Sequence, residues 1–333
     1  MVMTMQNQRV SPLKPIVPSL VLGAIAILGL LLMGGMDNVG KNFVDYRWQF
    51  FGLALGLAFF SNTVRFLKRA ITLRVSGIKG ITFFDSVRLF MASLPLDAAP
   101  ARVGDSYNSL WLFRLAGQPA YRSSSIYLLE QISDNLSIFV LTAFGVIAYP
   151  AFWPLFVLVL LLFIIATIFL RIKHRDTEMA TMTERLPVYK QLFRDLHACI
   201  DAHPALFSSS HLAITLLLGI VSRASEGAVL FFILSGLGMA PTLPLAAASI
   251  LVYAFTASIA TVTSIPGGMG VVEASMALIL TVLFDIHPGT AVAATLLFRI
   301  ATFWINLGVG LLIWSVSGKK LGMLGGGGNV VKS

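Results

Sequence analysis

The chain has 333 residues, of which 57% are hydrophobic and only 12% charged, with a mean hydropathy of +0.85; this places it outside soluble-domain norms and inside a membrane. Its formal net charge of +9 comes from 24 Lys and Arg against 15 Asp and Glu, but the cations lie between apolar runs rather than on one patch. Nucleic acid is therefore not the expected partner. The single cysteine, Cys199, excludes a disulfide within the chain and any cysteine-based metal cluster.

About 20 apolar residues cross a bilayer, and runs of that kind occur at 16–36, 48–66, 124–149, 152–170, 211–237, 243–264 and 289–315. The first follows Arg9 and Lys14 and is too long for a signal-peptide core, so it reads as a retained anchor. After the second, the stretch 65–80 carries Arg65, Lys68, Arg69, Arg74 and Lys79 with no acidic residue, and reads as a cytoplasmic loop.

Residues 81–123 must leave from and return to that same side. Pro95 and Pro100 break the stretch, and Asp85, Arg88 and Asp97 interrupt its apolar character. A re-entrant hairpin or two full spans both satisfy the count. In the 124–149 span, Glu130 and Asp134 are four apart and share one helix face. They either reach the cytoplasmic interface or serve a site within the bundle.

The segment 171–208 repeats Tyr189, Leu192, Phe193, Leu196 and Ile200 at helical spacing among charges. It is expected to be a cytoplasmic amphipathic connector, lying on the membrane or on the underside of the bundle. His211 opens the next span and is expected at the interface. Arg223 and Glu226 are three apart within that span and within reach of each other.

The apolar stretch 243–284 is interrupted by Ser264-Ile-Pro-Gly-Gly-Met-Gly-Val-Val-Glu273. Pro266 has no N–H to donate, and Gly267, Gly268 and Gly270 tolerate backbone angles other residues avoid. A membrane helix must break there, and lipid cannot satisfy the freed groups. Broken segments of this kind often hold a transporter's site. Glu273 falls in the first turn of the restarted helix, where a carboxylate also complements the helix dipole. Arg299 stands alone in the last span and needs a partner, for which Glu273 and Asp134 are the candidates.

Lys and Arg on 65–80, 171–194 and the tail 316–333, with none near Pro150, Gly238 and Pro288, place both termini in the cytoplasm. The fold expected is an all-α polytopic membrane protein. It has about seven spanning helices and two broken or re-entrant helical hairpins, and entry from opposite sides suggests pseudo-inverted halves. Residues 1–315 form one membrane domain; 316–333 is a flexible cytoplasmic tail with Gly325–Gly328 but no phosphate-loop ending.

Three elements carry a family resemblance. Ser264–Ala274, with Ala291-Val-Ala-Ala-Thr-Leu-Leu-Phe-Arg-Ile300 downstream, resembles the C-terminal signature of the lysylphosphatidylglycerol synthase transmembrane (flippase-like) family. Pro100-Ala-Arg-Val-Gly-Asp-Ser-Tyr107 resembles its Pro-x-x-x-Gly-Glu/Asp element, and Leu128-Leu-Glu-Gln-Ile-Ser-Asp134 its Glu-Arg-x-x-Asp element. Gln131 and Val272 stand where the family often carries arginine, so two cationic contacts are absent. The chain stops at Ser333, leaving no room for an aminoacyl-transferase domain, and it is not expected to be an enzyme.

The resemblance implies an inner-membrane protein that binds a lipid as its ligand and flips the headgroup across the bilayer, with no cofactor or metal. Arg102, Arg299 and freed backbone donors around Pro266, Gly267, Gly268 and Gly270 would hold phosphate. Asp105, Glu130, Asp134 and Glu273 complete the expected substrate-binding set. A non-catalytic partner of a lipid-synthesis enzyme, and a lipid glycosyl or acyl transferase, are the alternatives. Against the transferase, the sequence has no Asp-x-Asp loop, His-Glu-x-x-His or Gly-x-Ser-x-Gly.

Overall fold

The computed structural model describes residues 16–78, 80–99, 111–112, 120–154, 156–157, 160–161, 204–263 and 265–317. Among them every regular element is helical. In chain order these are α1 (Val17–Gly34), α2 (Met36–Val44), α3 (Trp48–Val75), α4 (Phe83–Ser93), α5 (Ala120–Ala148), α6 (Ser209–Gly236), α7 (Leu243–Thr263), α8 (Val271–Leu283), α9 (Pro288–Arg299) and α10 (Ile305–Ser317). A 3₁₀ turn, Leu94–Ala98, extends α4, another, Pro266–Gly268, joins α7 to α8, and a π-helical turn, Ile300–Trp304, welds α9 to α10. Among the described residues, six segments are long and apolar enough to cross a membrane, including Pro266–Leu283 and the continuous Pro288–Val316 rod. The molecule is a multi-pass, all-α membrane protein.

One boundary differs from the sequence reading in a way that matters. The stretch 65–80 is not a loop, because α3 runs unbroken for 28 residues to Val75. Hydropathy ends where Arg65 begins, but Arg and Lys are good helix formers and the backbone has no reason to stop. At 1.5 Å per residue α3 is roughly 42 Å long, more than a hydrocarbon core requires. His211, in the first turn of α6, is 4% exposed, with Nε2 3.5 Å from the Thr72 hydroxyl.

Of three buried apolar clusters, one packs Leu30, Val39, Ala277, Val292 and Ala293, and the other two lie towards opposite ends of the bundle. At one end, here the upper end, Tyr149 donates to the Pro244 carbonyl at 2.9 Å and its ring meets Phe284 at 5.8 Å, which gathers the ends of α5, α7 and α8. The upper core beneath it packs Phe152, Leu234, Leu251, Phe255 and Leu280. The lower cluster holds Leu89, Trp111, Leu112, Ile126, Leu206 and Trp314. There Trp314 Nε1 donates to the Ala92 carbonyl at 2.8 Å, fixing α10 against α4. Small residues let helices close up: a Cβ on Gly227 would lie 2.9 Å from the Ile250 Cα, so α6 and α7 approach backbone to backbone.

The two broken segments meet. A Cβ on Gly267 would lie 3.4 Å from the Ala98 Cα, at the end of the α4 extension. Of the stretch 81–123, the described residues are 81–99, 111–112 and 120–123. Within it, Thr82 caps α4 by accepting from the Asp85 N–H at 3.2 Å and donating to the Asp85 carboxylate at 2.6 Å. Most of the 152–170 span, the 171–208 connector apart from the Pro204–Phe207 turn, and residues 318–333 lie outside the described residues.

Candidate functional site

Between the upper and lower apolar clusters lies a cavity of about 450 Å³. Its walls come from α3, the α4 extension, α5, α6, α7, the Pro266–Gly268 turn and the π-turn. Such a volume is large enough for a small polar headgroup. Charges dominate the wall, although every helix around it is apolar elsewhere.

The charges are paired across helices. Lys68 on α3 bonds Asp134 on α5, and Arg223 on α6 reaches the other oxygen of Asp134 at 3.4 Å. The same guanidinium holds Glu226 at 3.3 Å and the Tyr253 hydroxyl at 3.2 Å, while Tyr253 donates to Glu226. Ser61 closes this chain by donating to Glu226 Oε1 at 3.1 Å. One turn lower, Arg69 grips Glu130 with Nε and Nη2, the shortest contact being 2.9 Å, and gives Nη1 to the Ser93 hydroxyl at 2.8 Å. Its guanidinium lies 5.4 Å from the ring centres of both Phe90 and Tyr127. At the α4 extension, Arg65 faces Asp97 at 3.7 Å.

The break on the opposite wall is built around Arg299. Gly267, Gly268 and Gly270 have φ of +61°, +60° and +81°, the left-handed angles that favour glycine. This conformation turns the Gly267 carbonyl onto Arg299 Nη2 at 3.1 Å. Arg299 Nε lies 2.6 Å from Glu273 Oε1, a charge contact in which the N–H is not aimed at the oxygen. Phe303, carried by the π-turn, lies under the guanidinium at 4.2 Å. π-turns inside α-helices frequently mark functional sites; here the extra residue accompanies the seating of Phe303 between Arg299 and Gly267. Glu273 is 1% exposed and accepts from the Gly270 N–H at 2.8 Å.

That last bond corrects one expectation. Three backbone donors of the break, the N–H groups of Gly268, Met269 and Gly270, are not free to bind an anion. Gly268 N–H is taken by Ile265 at 2.9 Å, Met269 N–H by Pro266 at 3.2 Å, and Gly270 N–H by Glu273. The turn satisfies itself, as a break surrounded by lipid-facing helices must. What it presents to the cavity wall is a curved backbone and the side chain it positions.

Of the residues expected from the sequence, Glu130, Asp134, Pro266, Gly267, Gly268 and Arg299 line the cavity, and Glu273 sits behind Arg299. Arg299 finds Glu273 rather than Asp134, which is occupied by Lys68 and Arg223. Arg102 and Asp105 lie outside the described residues. Arg65, Lys68, Arg69, Asp97, Arg223, Glu226 and Tyr253 belong to the cavity wall without having been singled out for it. A helical reading of 65–75 would have found three of them, since Arg65, Lys68 and Arg69 recur at i, i+3, i+4 on one face.

A family model described as the lysylphosphatidylglycerol synthase TM region matches residues 17–310. No curated protein and no solved structure shows significant similarity to the chain.

Proposed function

This chain belongs to the lysylphosphatidylglycerol synthase TM-region family, and from that premise we propose that it binds a lipid headgroup in the charged cavity and carries it across the bilayer. The observation that supports this reading most is the cavity itself. A buried charge at a helix centre costs on the order of 2.5–3.5 kcal/mol on insertion scales, and replacing a buried ion pair with apolar residues is often neutral or stabilising. A bundle needing only stability has no use for so many charges around an open space. A headgroup moving between leaflets needs that space, while its acyl chains stay in lipid.

The membrane in question is the inner membrane, and the lower end of the bundle faces the cytoplasm. Positive-inside counting supports this, because the lower ends of α3 and α10 adjoin Arg74, Lys319 and Lys320 whereas the upper turns near Pro150, Gly238 and Pro288 carry no Lys or Arg.

The test is translocation of a reporter lipid by the purified protein in liposomes, with no aminoacyl or glycosyl donor present. Protein-dependent loss of leaflet asymmetry is expected. Movement that required an added donor would make the protein a transferase, and copurification with a lipid-modifying enzyme together with no translocation would make it a partner subunit.

A further inference from the structure

The cavity's charge balance restricts what it accepts, if the lipid-headgroup reading above holds. Among the described lining residues, Arg65, Lys68, Arg69, Arg223 and Arg299 face Asp97, Glu130, Asp134 and Glu226. Glu273, against Arg299, evens the count. Every carboxylate in this set has a basic partner. A ligand with net charge would leave one uncompensated charge in a low-dielectric interior, which is costly. A ligand bearing both signs adds none.

One pair is built differently from the rest. Arg65 and Asp97 stand 3.7 Å apart, the longest separation among the cavity pairs, and their side chains are 24% and 54% exposed. The Arg69–Glu130 side chains are 14% and 11% exposed, and those of Arg299–Glu273 6% and 1%. Arg65–Asp97 is thus the pair that a ligand reaches first and opens with the least loss. It offers one cation and one anion side by side.

The aromatic rings narrow the class further. Quaternary ammonium groups are recognised by free aromatic faces. In this cavity Phe90 and Tyr127 already carry Arg69, Phe303 already carries Arg299, and the remaining lining rings, Tyr253 and Phe298, pack on each other at 6.0 Å and are each 4% exposed. The ammonium must instead be read by a carboxylate, through N–H donors.

We infer that the cavity selects a headgroup of no net charge, a phosphate diester carrying a primary ammonium, with the phosphate on Arg65 and the ammonium on Asp97. The ligand slots into the exposed pair and keeps the lining neutral throughout.

Calorimetric binding of dihexanoyl phosphatidylethanolamine, phosphatidylglycerol and phosphatidylcholine to the detergent-purified protein tests this. The ethanolamine lipid is expected to bind at least tenfold tighter than either of the others. Asp97→Asn should weaken it at least tenfold and make the glycerol lipid preferred, because the lining then carries an excess cation. Should Asp97→Asn fail to fold, Arg65→Gln gives the complementary reading: affinity for all three phosphate-bearing lipids falls, and the glycerol lipid suffers most. Equal affinity for all three lipids, or tightest binding of the anionic one, overturns the inference while leaving lipid binding in place. Binding of none overturns the lipid reading and this inference together. Glycerophosphoethanolamine binding as tightly as the lipid would keep the headgroup chemistry and overturn the membrane source.

Discussion

Arg299 concentrates the chemistry of a single residue. It lies eleven residues beyond Pro288, roughly 16 Å into the last rod at a helical rise of 1.5 Å per residue, deeper than a side chain can snorkel. Four groups use its guanidinium: Glu273, the Gly267 carbonyl, Met269 Sδ and the Phe303 ring. Arg299→Ala strands a carboxylate that is 1% exposed, and the expected loss is about 3–5 kcal/mol, seen as lower folded yield and melting temperature. Arg299→Lys keeps the charge but cannot span Glu273 and Gly267 together. It is expected to melt within a few degrees of the parent while lipid translocation falls at least tenfold. Full translocation by the lysine variant would reduce Arg299 to a counter-charge.

At the scale of elements, the break between α7 and α8 is where backbone and packing constraints coincide. A Cβ on Gly268 would lie 2.6 Å from Val272 Cγ2, and one on Gly267 3.1 Å from the Phe303 ring, both at positive φ. The left-handed angle alone costs roughly 1–2 kcal/mol per non-glycine residue. Replacing Gly267 and Gly268 by Leu is expected to push Phe303 off Arg299 and abolish transport, with partial loss of thermal stability. A double mutant that folds and transports normally would make the turn a mere connector. The position of this break was legible in the sequence, since Pro266 and three glycines announce it regardless of tertiary context. The C-terminal end of α3 was not. A hydropathy window treats Arg65, Lys68 and Arg69 as a loop because it cannot see Asp97, Asp134 and Glu130, which lie between 32 and 66 positions away and offset their charge. For Glu130 and Asp134 the shared face was readable, and only their partners required the fold.

Across the whole molecule the charges form a graded ladder. Measured along their helices from the upper ends, Tyr253, Glu226 and Arg299 lie roughly 15 Å down, Arg223 and Asp134 about 20 Å, and Glu130, Arg65 and Lys68 about 25–30 Å. With the lower end in the cytoplasm, an introduced cysteine at Lys173, on a background lacking Cys199, is expected to resist an impermeant reagent in intact cells. Labelling there would invert the orientation. The ladder also stops halfway. Above Tyr253 the path meets the rings of Phe152 and Phe284, stacked at 5.6 Å. Among the described residues, no buried charged side chain lies above the rung of Tyr253, Glu226 and Arg299. On the proposed function, a headgroup climbing the ladder would meet this aromatic seal, and its crossing would require α5, α7 and α8 to part at their upper ends, where the Tyr149–Pro244 bond and the Tyr149–Phe284 contact hold them together. The rate-setting step would then be the unsealing of an aromatic bolt, with the ion pairs below it remaining as a waiting platform.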